Sequence, residues 1–291
     1  MKKILGKSVS FLAVPVLSSV LCGCAYLAEL EETPAEDTSS ADITVEELSA
    51  KIEKAADPKG IFQKCHSYLL KQEMSGEDNN GSSYTRTVEI KFKLPFYLKT
   101  TTYMNDKPVV IVIFDGKTAR SINCETDQIT EFKGLSYELV EVLANLGHPS
   151  STMTSVFPKI ELSEVTVSAL VPEKYYKAVC YSKYEDLPPI TFYIGKKNFL
   201  TKKLETTRFT ATGSYKYVSE TEKYSMYDGV WVASESKVTA GGATYAYKII
   251  EYKMNVDIPD SEFETPTPWY LQNLRKGSEV KAVEEKAPAS K

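Results

Sequence analysis

Apolar and polar residues alternate along much of this chain. Val88, Ile90 and Phe92 are separated from one another by single glutamate or lysine residues. A two-residue period places successive side chains on opposite faces of a strand, so such a tract predicts a β-strand with one buried face. The apolar run "PVVIVIF" leads into a hairpin turn at Asp115-Gly116. We expect about nine to eleven antiparallel strands; the later tracts are "YKAVCYSKY", "ITFYIGKKNFLTKKLETTRF", "YKYVSETEKYSMYDGVWVASESKV" and "ATYAYKIIEYKMNV".

Two segments have helical spacing instead. The first begins at Thr44, which with Glu47 fits a capping box, and its apolar residues then recur on one helical face. The second is "LSYELVEVLANLGH", in which leucines and valines recur every three or four residues until Gly147. Residues 150–159 show neither the helical nor the two-residue strand spacing of apolar residues, and they are predicted to be an irregular insertion.

The start of the chain has the layout of a secretory signal peptide, which we assign to residues 1–23. Three lysines precede an apolar stretch from Val9 to Leu21 that Pro15 interrupts. This stretch is shorter than the about 20 apolar residues that a membrane-spanning helix needs.

The remaining residues divide by composition. Residues 24–42 are acidic, contain Ser, Thr and Pro, and lack apolar periodicity, so they predict a flexible tether. Residues 271–291 are predicted to form a disordered tail for the same reason. A single folded domain is therefore expected over residues 43–270.

The segment Leu21-Cys22-Gly23-Cys24 resembles the bacterial lipobox, in which the signal is cut before a cysteine that carries diacylglycerol. The resemblance implies that Cys24 is the lipidated first residue of the mature chain. Ala25 stands where an aspartate would retain the protein in the inner membrane of enterobacteria. The resemblance thus implies an outer-membrane anchor facing the periplasm; the alternative is an ordinary secreted protein with an incidental cysteine.

Charge argues against a nucleic-acid partner. Removing residues 1–23 takes away three lysines and no acid, which moves the formal net charge from −4 to −7. Binding to nucleic acid rests on neutralising phosphates with Lys and Arg. A chain with this net negative charge is therefore a poor match for such a partner.

The cysteines Cys65, Cys124 and Cys180 have no metal-ligand spacing, and we interpret them as small buried side chains with at most one disulfide among them.

Candidate catalytic chemistry is sparse. The two histidines, His66 and His148, have no His or acid at metal-ligand spacing and read as surface or capping residues. Nucleophile-elbow, zinc-protease, P-loop and dinucleotide motifs are missing from the sequence. We therefore expect no enzyme activity, no metal and no cofactor, although a pair of carboxylates brought together by folding stays open.

Several strand-and-turn signatures resemble the LolA/LolB-like family of outer membrane lipoprotein-sorting proteins. They are "LPFYLKTTTYMNDKPVVIVIFDGKTARSI", "PITFYIGKKNFLTKKLETT", "YSMYDGVWVASESKV" and the exit "YKMNVDIPDSEFETP". The resemblance implies a mainly β protein with a few helices: a half-open, curved antiparallel β-barrel with covering helices. It also implies an apolar cavity that accepts acyl chains of lipids or lipoproteins.

Alternation nominates the residues that would line such a cavity, although each is also explained by ordinary core packing. The candidate wall consists of Val88, Ile90, Phe92, Ile111, Ile113, Phe192, Ile194, Tyr247 and Ile249. In the strand that contains Ile111, the opposite parity, with Val110 and Val112 facing inward, stays open. A stripe of Leu139, Val142 and Leu146 on the second helix would form a lid, with Gly147 and residues 150–154 as its hinge.

Three functions remain open at this point. The first is a periplasm-facing, lipid-anchored binder of apolar ligands that acts in lipid or lipoprotein transport. The second is an envelope sensor or scaffold that binds a protein partner, and the third is a hydrolase. The ligand, the direction of any transfer and the oligomeric state are left open.

Overall fold

The computed structural model describes residues 37–77, 83–166, 173–210 and 213–265. Within them, 14 strands form one sheet. The predicted signal peptide, Cys24 and the predicted tail lie outside the described residues. The strands are β1 (Asp37–Ser40), β2 (Ser67–Glu77), β3 (Ser83–Lys93), β4 (Tyr97–Met104), β5 (Lys107–Phe114), β6 (Ala119–Asn123), β7 (Gln128–Glu131), β8 (Lys159–Thr166), β9 (Lys174–Tyr181), β10 (Ile190–Gly195), β11 (Thr201–Thr210), β12 (Gly213–Tyr227), β13 (Val230–Ala240) and β14 (Ala243–Met254).

The sheet is antiparallel throughout and does not close. Its strand order is β1-β8-β9-β10-β11-β12-β13-β14-β2-β3-β4-β5-β6-β7, so β1 and β7 are the two edges. The predicted half-open barrel with covering helices is confirmed. The predicted strand number was too low because the sequence pattern missed β1, β7 and β8.

Each of the three missed strands lacks a clear alternating signal. Strands β1 and β7 have only four residues each, and all four residues of β7 are exposed. Strand β1 lies within the predicted tether and pairs with β8. On β8, the inward-facing apolar positions Ile160 and Leu162 are followed by Glu164, which interrupts the pattern.

Three α-helices accompany the described strands: α1 (Val45–Ala56), α2 (Leu135–Gly147) and α3 (Met153–Val156). The predicted capping box begins α1, since the Thr44 hydroxyl accepts a hydrogen bond from the Glu47 amide at 3.2 Å. Helix α2 matches the second predicted helix. Helix α3 falls in the predicted irregular insertion, where Thr152 caps it and Met153 is buried. No helix in the described residues is both long and apolar enough to cross a membrane.

The inner face of the sheet carries the main core. Leu70, Ile90, Thr100 and Val112 are successive partners across β2, β3, β4 and β5, and all four are buried. Helix α2 packs Val142, Leu143 and Leu146 into the same apolar cluster as Leu70 and Ile90. Because α2 covers this face, the sheet does not need to close to bury its apolar side chains.

The outer face of β5 and β6 carries a second, smaller cluster. Ile113 and Ile122 are buried there against Ile258 and Phe263, which lie in the segment after β14. Ile111 is half-buried at the margin of this cluster. Ile111 and Ile113 therefore face away from the main core, which corrects their place in the candidate wall. The structure has the alternative parity of β5, with Val112 buried on the inner face.

Ion pairs hold the segment after β14 against the outer face. Glu262 lies 3.0 Å from Lys91 Nζ and 2.9 Å from Lys99 Nζ. Asp260 pairs with Lys93 at 2.5 Å. The Phe263 ring packs on Tyr97 with 5.3 Å between the ring centroids. We call residues 256–263 the C-terminal strap.

The predicted hairpin turns are present. Asp228 and Gly229 form a two-residue loop between β12 and β13 with φ values of 49° and 94°. A side chain at Gly229 would also meet Ile61, because a Cβ there would lie 2.7 Å from the Ile61 Cδ1. At the other turn, the Asp115 carboxylate accepts hydrogen bonds from the Lys117 and Thr118 amides at 2.9 and 2.7 Å.

None of the three described cysteines forms a disulfide. Cys65 and Cys180 are buried, and Cys124 is half-buried. Burial raises the pKa of each thiol, so these cysteines are poor nucleophiles.

Candidate functional site

A pocket lies between α2 and the inner face of β9, β10 and β11, and we call it the α2 pocket. Its cavity volume is about 70 Å³. Typical small-molecule sites enclose roughly 300–1,000 Å³, so this is a narrow crevice. The lining is mainly apolar and includes Leu135, Leu139, Val142, Phe157, Cys180, Leu187, Ile190, Thr206 and Arg208.

Strand β11 forms one wall of the pocket. Leu204, Thr206 and Arg208 alternate on its inner face, opposite Phe192 of β10 and Tyr217 of β12. The Thr206 hydroxyl donates a hydrogen bond to the Pro189 carbonyl at 3.0 Å. This bond attaches the middle of β11 to the residues that lead into β10.

Arg208 is the charged residue of this lining. Its side chain is buried, with only 4% of the residue exposed. Nε and both Nη atoms have no hydrogen-bond partner among the described residues. The guanidinium carbon lies 4.9 Å from the centre of the Tyr217 ring, a cation–π contact. Burial lowers the pKa of Arg208, because a charge is costly away from water.

Helix α2 is held over the pocket by polar contacts at two points. Near its middle, Glu141 pairs with Lys183 at 3.1 Å and accepts a hydrogen bond from the Tyr184 hydroxyl. At its C-terminus, the buried Tyr68 hydroxyl donates to the Gly147 carbonyl at 3.1 Å. These contacts connect the helix to the β9–β10 loop and to β2.

The structure brings seven of the nine predicted wall residues together in the main core. These seven are Val88, Ile90, Phe92, Phe192, Ile194, Tyr247 and Ile249. The other two, Ile111 and Ile113, lie on the outer face. None of these seven is among the described residues that line the α2 pocket. Other side chains cover them, and all seven are buried.

Two of the three predicted lid residues do reach the pocket. Leu139 and Val142 line it, whereas Leu146 is buried in the main core. Sequence reasoning missed Ile190 and Arg208. The inward direction of Arg208 could have been predicted, because Leu204, Thr206 and Arg208 are two residues apart on one strand and therefore share a face.

Comparison with solved structures identifies this arrangement. A LolA superfamily protein from Nitrosomonas europaea superimposes with a TM-score of 0.54 at 13% identity, over 76% of this chain and 98% of that one. A DUF1329 family protein from Desulfovibrio piger gives a TM-score of 0.50 at 12% identity, over 75% and 95%. This chain has a LolA-like fold. No protein-family model matches it, and no curated protein matches it in sequence.

Within the LolA-like fold, the histidines occupy different environments. His66 is exposed, and its amide donates to the Asn255 side chain at 3.0 Å. His148 caps α2 and packs against Phe92 and Phe96. In the described part of the chain, no three His, Cys, Asp or Glu side chains are grouped so that they could hold a metal ion.

Proposed function

We propose that this chain binds the acyl chains of lipids or lipoproteins between α2 and the inner face of its LolA-like sheet. The α2 pocket is the observation that carries the proposal. It is a mainly apolar crevice between a helix and the inner face of the sheet. Burying an alkyl chain there is favourable by about 0.8 kcal/mol per methylene.

The size of the pocket requires α2 to move when a ligand enters. A cavity of about 70 Å³ holds only a small part of an acyl chain. Helix α2 presents Leu139 and Val142 to the pocket and is fastened by the contacts of Glu141 and Gly147. We therefore assign the structure to a closed state, which opens when α2 lifts from β9–β11.

Location in the bacterial envelope follows from the predicted anchor. Cys24 would hold the chain on the outer membrane, with the folded domain on the periplasmic side. A binder of acyl chains at that surface fits a role in lipid or lipoprotein transport.

The proposal is tested by narrowing the pocket without adding charge. Leu139→Trp places a larger apolar side chain in the crevice, whereas Ile111→Trp makes a similar change at a half-buried site on the outer face. We expect Leu139→Trp to weaken binding of a fluorescent palmitate analogue at least tenfold, with a thermal unfolding temperature close to that of the wild type. Ile111→Trp should bind like the wild type.

Two outcomes would contradict the proposal. Equal binding by wild type and folded Leu139→Trp would show that the probe does not enter the α2 pocket. A wild-type chain that does not bind the probe at all would favour the partner-binding scaffold instead.

A further inference from the structure

The buried positive charge of Arg208 has no hydrogen-bonding or ionic partner among the described residues. A guanidinium presents five N–H donors and stays protonated in proteins. Here its nitrogens are buried, and they have no hydrogen-bond partner among the described residues. Buried charges are ordinarily paired or bound to a counter-ion, because an unpaired charge loses its hydration without compensation.

The surroundings of Arg208 are aromatic and apolar. Tyr217 contacts the guanidinium through its ring, and Tyr215 lies opposite on β12. The charged neighbours that pair elsewhere in the described sheet, such as Glu205 with Lys203, lie on the opposite face of β11. A cation–π contact offsets part of the desolvation but accepts no N–H hydrogen bond.

The α2 pocket connects this charge to an apolar crevice. Arg208 shares the lining with Leu139 and Ile190, so the mainly apolar crevice contains one cationic side chain. A ligand that satisfies both parts has an anionic head and an alkyl chain. The planar guanidinium suits carboxylate or phosphate oxygens, which it binds through two parallel hydrogen bonds.

We propose that the α2 pocket binds a single-chain anionic amphiphile, with the head-group oxygens on the Arg208 guanidinium and the alkyl chain against Leu139 and Ile190. This inference rests on the proposed acyl-chain function and adds the charge of the ligand to it. A fatty-acid carboxylate and the phosphate of a one-chain phospholipid share the required chemistry. Binding the anion removes the unpaired charge, so the free energy of binding includes relief of a cost already present in the folded protein.

The test compares ligands that differ only in the head group. The delipidated full chain is titrated by calorimetry with dodecanoate, dodecyl phosphate and 1-dodecanol, and with acetate and inorganic phosphate as heads without a chain. We expect the two anionic amphiphiles to bind at least tenfold more tightly than dodecanol. Acetate and phosphate should show no measurable binding.

Arg208→Met removes the charge and keeps an unbranched apolar side chain. We expect it to lower the preference for dodecanoate over dodecanol to less than twofold. Arg120→Met is the matched control, because Arg120 lies on β6 and bonds Thr265 at 2.6 Å, away from the pocket. This control should keep the wild-type preference.

A measurement on the wild type covers the case in which Arg208→Met does not fold. Carbon-13 NMR of carboxyl-labelled dodecanoate should show that the bound carboxyl stays ionised at a pH where the free acid is protonated. Equal affinity of the wild type for dodecanoate and dodecanol overturns the inference but leaves the proposed function standing. Tight binding of acetate or phosphate alone also overturns it, and failure of every chain-bearing ligand overturns the proposed function itself.

Discussion

His148 shows how a single buried side chain makes stability depend on pH. Its ring lies 5.3 Å from the ring of Phe92 and 5.0 Å from that of Phe96, measured between centroids. Nδ1 accepts a hydrogen bond from the Ser150 amide at 3.1 Å, which requires an unprotonated Nδ1. Burial lowers the pKa of His148, and a hydrogen bond to the Pro95 backbone opposes this only in part.

Because the pKa of His148 is lowered in the folded state, acid should destabilise the protein through this residue. The folded-state pKa lies below the unfolded value of about 6.5, so the unfolded state binds the proton first as the pH falls. Stability from this group is present above pH about 6.5 and is lost as the pH falls through the folded pKa. We expect wild type to lose up to about 1.4 kcal/mol of unfolding free energy per pH unit in that window, measured by urea denaturation.

The second histidine provides the control. His148→Asn should remove most of the decrease between pH 7 and 5.5, whereas His66→Asn, at an exposed position, should retain it. A decrease of equal size in His148→Asn would assign the pH dependence to other groups.

Single positions also show where sequence reasoning reaches its limit. Val88, Ile90 and Phe92 alternate with charged residues, so their inward direction could be predicted. Residues 109–113 are all apolar, and nothing local decides which of them face inward. The outward direction of Ile113 is explained by Phe263 and Ile258, which reach it from far along the chain.

Among the elements, α2 is the one that would have to move for the proposed ligand to enter. Its attachment through Glu141 joins it to Lys183 and Tyr184 in the β9–β10 loop. Hydrogen bonds to a charged group contribute about 1.5–3 kcal/mol, and exposed ion pairs about 1 kcal/mol or less. Loosening this attachment should therefore favour the open state by a measurable amount.

We predict that Glu141→Gln speeds uptake of the fluorescent palmitate analogue. The amide keeps a neutral hydrogen bond but removes the charge, so we expect a loss of about 1 kcal/mol, which corresponds to roughly fivefold faster opening. Stopped-flow fluorescence measures the rate. Glu138→Gln, one turn earlier on α2, is the control; equal rates in all three proteins would show that α2 does not limit entry.

The helices could be predicted better than the edge strands. The capping box of α1 and the periodic apolar face of α2 are local signals, and both appear in the structure. Strand β7 is exposed along its whole length. Neither of its faces has to be apolar, so its sequence shows no alternation of apolar and polar residues. Strand β1 pairs with β8, a partner more than a hundred residues away, which no local pattern could indicate.

At the scale of the whole molecule, the predicted lipid anchor at Cys24 can be tested directly. We expect wild type to sediment with membranes and to incorporate a labelled fatty acid. Cys24→Ala should remain unlabelled and appear in the soluble fraction, because the lipobox resemblance assigns the acyl groups to that side chain. Equal labelling of both proteins would contradict a lipid anchor at Cys24.

The pairing of β1 with β8 would limit the reach of a domain anchored at Cys24. Strand β1 begins at Asp37, thirteen residues after Cys24. A fully extended chain of that length spans at most about 45 Å. If Cys24 carries the acyl groups, the folded domain would exchange its proposed ligand only with molecules at the same membrane surface. A carrier that diffuses between two membranes would then have to be a different protein.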